Sequence, residues 1–244
     1  MADLLVTGGN GRGRTMAART EMERKGGIGV IFEAERDRLA DYGRQLIADR
    51  LSVGSSGNIS VRLSDQDLVV ITPSGIPYRA ISAADICVIG LDGRVVDCSA
   101  TPSSETPLHL AVYAATRARA IVHTHSPVAA GLSTVVDELP PIHYTILNLG
   151  GTVRVAPYAT FGSAQLAENA VAGLAGRRAV LLQNHGALTY GNDLDQAYER
   201  AELLEWLAVM YTAAAGAGTP RILSAAELDQ VAAAARALNK RRAG

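Results

Sequence analysis

The run AIVHTHSP, residues 120–127, constrains this chain more than any other segment. Side chains two residues apart on a β-strand point to one face. A strand here therefore presents His123 and His125 to a single point. Neutral imidazole is the commonest protein ligand for zinc. A third histidine and a carboxylate would complete four-coordination, and the carboxylate could leave to open a position for substrate. His185, in Asn184-His185-Gly186, and Glu105, in the segment PSSETPLH, supply those two groups. The pattern points to a catalytic metal site made by Glu105, His123, His125 and His185.

The flanking sequence reads as one α/β domain. At 244 residues the chain is long enough for one substantial core. Residues 1–30 stand apart: TGGNGRGRT is rich in glycine and arginine but lacks the preceding strand and the Gly-Lys-Ser/Thr ending of a phosphate loop. They are expected to form a flexible extension, with the domain spanning 31–244. From Ile31 a helical stripe runs through Phe32, Leu39, Leu46, Ile47 and Leu51. ISVRL and DLVVI read as strands, and DICVIGLDGRVVDCSA as a hairpin with Asp92-Gly93 at its tip. Pro107 suits the first turn of a helix capped by Thr106 and running to about Arg117. The segment PPIHYTILNLGGTVRVAPY gives a loop, a short apolar helix or strand, and another strand. SAQLAENAVAGLAG is helical and ends at Gly176. AVLLQNHGALTYG is a strand pair around a tight turn, followed by a long amphipathic helix from Asp193 and a shorter one after Pro220.

Composition narrows the function. A formal net charge of −1 argues against strong attraction to nucleic acid or anionic membrane. There is no run of about 18 apolar residues, as a membrane-spanning helix would need. The opening MADLLVTGGNGRGR lacks the apolar core of a signal peptide. Cys87 and Cys98 make no disulfide framework. A cytoplasmic protein is expected. Three small polar segments have turn composition: Gly57-Asn58, Ser74-Gly75 and Ser103-Ser104. If they converge, their backbone N–H groups and hydroxyls would form a nest for a phosphate. Ser103 and Ser104 also precede a helix N-terminus, where an anion is favoured.

In this order, SGNIS, ITPSGIPY, PSSETPLH, VHTHSP, APYATFGS and QNHGAL resemble the class II aldolase/adducin family over about residues 34–225. Within it they look most like the branch that cleaves L-fuculose 1-phosphate. The resemblance implies a three-layer α/β/α fold with a central, mostly antiparallel sheet, assembled as a homotetramer with sites at subunit contacts. It implies zinc, or another divalent metal such as manganese or cobalt, on His123, His125 and His185. Glu105 would ligate the metal at rest and act as acid/base with substrate. Gly57, Asn58, Ser74, Gly75, Ser103 and Ser104 would bind the substrate phosphate. Tyr144 would reach the site of a neighbouring subunit as proton donor to the aldehyde oxygen, and His109 would be a core or supporting residue rather than a ligand. The implied reaction is reversible cleavage of a ketose 1-phosphate into dihydroxyacetone phosphate and a small aldehyde. The same family holds ribulose-5-phosphate 4-epimerases, which typically carry aspartate where this chain has Glu105. They also use an acidic shuttle where YTILNLGGTVRVAPYATF has no acidic residue. Dehydratases and decarboxylases of sugar phosphates belong here too, as do adducin-like interaction modules, in which metal ligands should be lost. The last aromatic residue, Tyr211, lies inside the long helix, so no tail tyrosine is available as in the fuculose enzyme. That favours a different aldehyde, such as one from a 5-deoxypentulose phosphate.

Overall fold

The computed structural model describes residues 31–64 and 66–243, so the extension expected over 1–30 lies outside the described residues. The chain runs α1 (Glu33–Ala48), β1 (Asn58–Arg62), β2 (Leu68–Ile71), β3 (Cys87–Gly90), β4 (Val95–Asp97), α2 (Thr106–Ala115), β5 (Ala120–Thr124) and α3 (Pro127–Leu132). It continues through β6 (Glu138–Leu139), a 3₁₀ segment (Tyr144–Leu149), β7 (Val153–Ala156), α4 (Ala164–Gly173), β8 (Ala179–Leu182), β9 (Gly186–Gly191), α5 (Leu194–Ala217) and α6 (Ala225–Ala243). The strands form one nine-stranded sheet in the order β4-β3-β2-β1-β5-β9-β8-β7-β6. Its pairings are antiparallel except for β7 with β8.

Side-chain parity explains the layers. Val70, Val88, Ala120 and Val122 pack with Leu39 and Leu46 of α1 and Tyr198 and Ala201 of α5. Their strand neighbours Val69, Ile71, Ile89 and Ile121 point the other way and pack with Leu108 and Val112 of α2 and Leu166 and Ala170 of α4. The same alternation splits β8: Ala179 and Leu181 join Leu204 and Leu207 of α5, while Val180 and Leu182 join the α2/α4 side. Helices thus cover both faces of the sheet. That is why β2, β3, β5 and β8 read as continuous apolar runs and are buried at every position. Each fully buried aliphatic side chain contributes on the order of 1.5–3 kcal/mol relative to exposure. β5 is therefore anchored from both sides.

Local expectations met tertiary structure with small shifts. The β3–β4 hairpin turns at Asp92-Gly93, with Gly93 at φ 81°. Helix α2 starts one residue earlier than expected: Glu105, not Thr106, occupies the cap position. Thr106 instead donates its hydroxyl to the carbonyl of Ser103. The helix stops at Ala115, where the Thr116 hydroxyl bonds back to Val112. Cys87 and Cys98 are joined as a disulfide, their Cα atoms 4.4 Å apart, because antiparallel pairing of β3 and β4 brings the two ends of the hairpin together. Sequence spacing shows no framework because one pair closing one hairpin is not one.

Two glycines are required by close backbone approach around β5. A Cβ on Gly57, at φ 72°, would meet the His123 carbonyl oxygen at 2.7 Å. A Cβ on Gly186 would run into the Thr124 carbonyl oxygen. Gly131, inside α3, has open space around it. Gly186→Ala is expected to destabilise the protein by about 1–3 kcal/mol through overpacking. Gly131→Ala should be neutral or stabilising by up to about 1 kcal/mol, since alanine is the better helix former. Urea unfolding of both variants checks the pair: equal stabilities would show that β5 and β9 are not held so tightly.

Candidate metal centre

The centre lies at the end of β5. His123 is the last-but-one residue of the strand, and His125 follows immediately after it. In the antiparallel register Asn58 of β1 sits opposite His123 on one side, and Leu188 of β9 on the other. His185 comes from the β8–β9 turn. There Asn184 adopts φ 54°, a left-handed conformation that asparagine tolerates better than most residues, and its backbone N–H donates to the Ser133 hydroxyl. Glu105 enters from the start of α2. Its side chain makes no capping bond to the helix but points at the histidines, with Oε2 2.9 Å from His123 Nε2 and Oε1 3.3 Å from His185 Nε2.

The structure brings all four expected metal-site residues together. One potential ligand atom from each of Glu105, His123, His125 and His185 lies within 4.8 Å of the others. The three imidazole rings are mutually edge-on, with every centroid pair 4.9 Å apart. His125 Nε2 and His123 Nε2 lie 3.0 Å apart. His123 Nδ1 sits 2.9 Å from the Ala187 carbonyl, a contact that places the proton on Nδ1 and leaves Nε2 to face the centre.

The electrostatics suit a cation. Burial raises the cost of ionising Glu105, but neighbouring His123, together with Asn58, more than offsets it and holds the carboxyl well below the usual range. Burial also disfavours charge on His123, yet the Glu105 carboxylate outweighs it and raises this imidazole. Burial and then the neighbouring histidines push His125 down to about 3, and burial and then His123 lower His185. Metal binding at such a set requires imidazoles with free lone pairs and an ionised carboxylate, so any protons held there would be displaced. Glu105 Oε1 is buried and has no hydrogen-bond partner. An orphaned carboxylate oxygen among three imidazoles is the donor set of a four-coordinate zinc site, so these residues fit a divalent metal.

A cleft of about 280 Å³ opens on the centre. Gly57, Asn58, Ser74, Ser103 and Ser104, from three separate turns, all line it. Gly75, at φ 76°, lies in the turn behind Ser74. Two of the turns are tied to one another, with Ser74 N–H donating to Thr101 and Ser103 N–H to Thr72. Asn58 is placed differently from the other polar positions. Its amide Nδ2 donates to Glu105 Oε2 at 2.9 Å and its Oδ1 lies 2.5 Å from His109 Nε2, so both ends are already engaged. Tyr144 is half exposed, stacks on His143 and does not line the cleft of its own chain. Sequence reasoning gave no role to Ser55, Tyr158, Phe161 or Asn184, which also line the cleft. Only the left-handed preference of Asn184 beside a candidate ligand signalled any of them.

Residues 37–212 match the family described as Class II Aldolase and Adducin N-terminal domain. The chain belongs to this family, and it is an enzyme of the lyase class. It is 39% identical over 204 residues to the 5-deoxy-D-ribulose 1-phosphate aldolase of Bacillus thuringiensis serovar kurstaki, covering 83% of this chain and 96% of that one. It is 37% identical over 183 residues to the L-fuculose phosphate aldolase of Escherichia coli K12, covering 72% and 84%. A solved structure of an L-fuculose 1-phosphate aldolase superposes with a TM-score of 0.79 at 39% identity, covering 82% of this chain and 95% of that one. No helix among the described residues is long and apolar enough to cross a membrane.

His123→Ala is expected to abolish tight binding of divalent metal, with the fold retained. Metal analysis of the purified variant checks this, and stoichiometric zinc in it would remove His123 from the ligand set. Uptake of zinc by the wild type should release protons, so its affinity should fall as pH is lowered.

Proposed function

We propose that this protein is a zinc-dependent aldolase that reversibly cleaves a ketose 1-phosphate into dihydroxyacetone phosphate and a small aldehyde. The substrate is L-fuculose 1-phosphate or a related deoxyketose phosphate, and a 5-deoxypentulose 1-phosphate is the first choice. The observation that carries this reading is the convergence of Glu105, His123, His125 and His185 at a cleft whose wall is built from three small polar turns. Support for the deoxypentulose comes from the Bacillus relative, which is named for that substrate and matches over nearly its whole length.

The residues divide the work. The turns carrying Gly57, Ser74, Gly75, Ser103 and Ser104 offer hydroxyls and backbone N–H groups to the phosphate, apart from the Ser74 and Ser103 N–H groups, which bond to Thr101 and Thr72. That binding energy orients the end of the substrate that reacts. Asn58 lies at that wall with its amide engaged by Glu105 and His109. His123, His125, His185 and Glu105 hold the metal, which when bound supplies Lewis acidity toward the ketone and neighbouring hydroxyl oxygens. Glu105 moves a proton to or from the substrate carbon through its free oxygen. Tyr144 gives a proton to the aldehyde oxygen in the site of a neighbouring subunit, and its position outside its own cleft supports action in trans. The assembly is a homotetramer working in the cytoplasm.

A panel of ketose 1-phosphates and 5-phosphates, with product identification and a chelator control, tests the reaction. Dihydroxyacetone phosphate is expected from a deoxyketose 1-phosphate only; epimerised ketose 5-phosphate would assign the chain to the epimerases instead. Glu105→Gln should keep the fold and cut turnover by about 10²–10⁴, and unchanged turnover would take Glu105 out of the chemistry. Mixing inactive His123→Ala subunits with slow Tyr144→Phe subunits should restore activity, because some sites would then combine an intact metal centre with an intact tyrosine. No recovery on mixing would refute a trans role for Tyr144.

A further inference from the structure

Behind Glu105 a line of buried polar groups leads away from the cleft. Asn58, Ser60, His109 and Tyr113 are 4%, 0%, 0% and 3% exposed. Asn58 and Ser60 lie on the same face of β1, two residues apart. His109 and Tyr113 lie one turn apart on α2, which packs over that face. His109 Nε2 is 2.5 Å from Asn58 Oδ1, its Nδ1 is 2.6 Å from Ser60 Oγ, and Ser60 Oγ is 2.8 Å from the Tyr113 hydroxyl.

The donors in this line can be ordered from one end. The Asn58 amide N–H donates to Glu105 Oε2 at 2.9 Å, and the amide oxygen faces His109. That oxygen only accepts, so His109 must carry its proton on Nε2. A neutral imidazole then has a bare Nδ1, which accepts from the Ser60 hydroxyl, and Ser60 in turn accepts from Tyr113. Burial pushes His109 down to about 3, which keeps it neutral. Every hydrogen in the series Tyr113, Ser60, His109, Asn58 thus points toward the carboxylate. The result at Glu105 is asymmetric: Oε2 is held by Asn58 and His123, while Oε1 is left with no hydrogen bond.

We propose that His109 is a positioning residue for Glu105. Its Nε2–H locks the Asn58 amide in the orientation that anchors one carboxylate oxygen and leaves the other for metal and substrate. Without that N–H the Asn58 amide could turn, and its oxygen would face the carboxylate. The role rests on the proposed reaction only where turnover is measured, since the proton order and the metal affinity are properties of the protein itself.

Two measurements test it. In two-bond ¹⁵N–¹H correlation spectra of the wild-type protein at neutral pH, His109 should appear as the neutral Nε2–H tautomer. An Nδ1–H tautomer or an imidazolium would overturn the proposal. His109→Leu removes the donor and keeps the bulk, whereas His109→Gln keeps an N–H at the far end of the side chain. His109→Leu should weaken zinc, measured by competition with a chromophoric chelator, and lower kcat on the deoxyketose 1-phosphate, each by about 10–100-fold, with KM little changed. His109→Gln should recover most of both losses. A glutamine variant as impaired as the leucine variant, or a leucine variant equal to wild type, would reduce His109 to packing. Should the leucine variant fail to fold, the tautomer of the wild type decides. Should the protein cleave no ketose phosphate, zinc affinity and tautomer still decide.

Discussion

A carboxylate withdrawn from water has to be met by hydrogen-bond donors or positive charge, or it will not ionise. Glu105 is 5% exposed, and the structure around it answers that requirement. His123 faces it from β5, His185 from the β8–β9 turn, and Asn58 from β1. Three non-neighbouring segments are thereby committed to one point, and the sheet order that sets β1 and β9 on either side of β5 makes this possible. Moving any one of these segments would remove one of the partners of a buried charge.

The same convergence makes the site chemically useful. Burial lowers His125 and His185, while Glu105 outweighs burial and raises His123. A compact set of one anion and three imidazoles, with one buried carboxylate oxygen free of hydrogen bonds, has the charge and donor atoms that a divalent cation needs. The apolar layers do the complementary work. They hold β5 from both faces, so His123 is mounted on a rigid strand, with His125 directly at its end. Glu205 on α5 adds to this by accepting the N–H groups of Val128 and Ala129, fastening the helix that leaves the site.

Much of this was legible in the chain. The His-x-His spacing signalled that His123 and His125 meet, although β5 ends at Thr124 and His125 follows it, and the apolar start of AIVHT marks a strand buried on both sides. The turn before Gly186 and the hairpin at Asp92-Gly93 follow from residues that tolerate left-handed backbone. The ordered motifs carried the family. Less was legible at Asn58, which as part of SGNIS reads as one more polar turn residue. Nothing within that segment says that its amide will be clamped between a carboxylate and a histidine from a helix some 50 residues away. His109, four residues after Glu105, likewise looks like a possible ligand until the helix direction is known. It then faces β1 and never reaches the centre.

The sequence by itself therefore determined the elements and the chemistry they carry: which strand brings a histidine pair to its end, where a helix begins beside a carboxylate, and where glycine allows tight turns. Those signals are local, written in periods of two and 3.6 residues. Tertiary structure alone decided that β5 lies between β1 and β9, that Cys87 meets Cys98, that Tyr144 is not among the residues lining its own cleft, and which oxygen of Glu105 has no hydrogen bond. Those outcomes depend on register and packing between segments far apart in the chain, and no short-range pattern encodes a distance across a sheet.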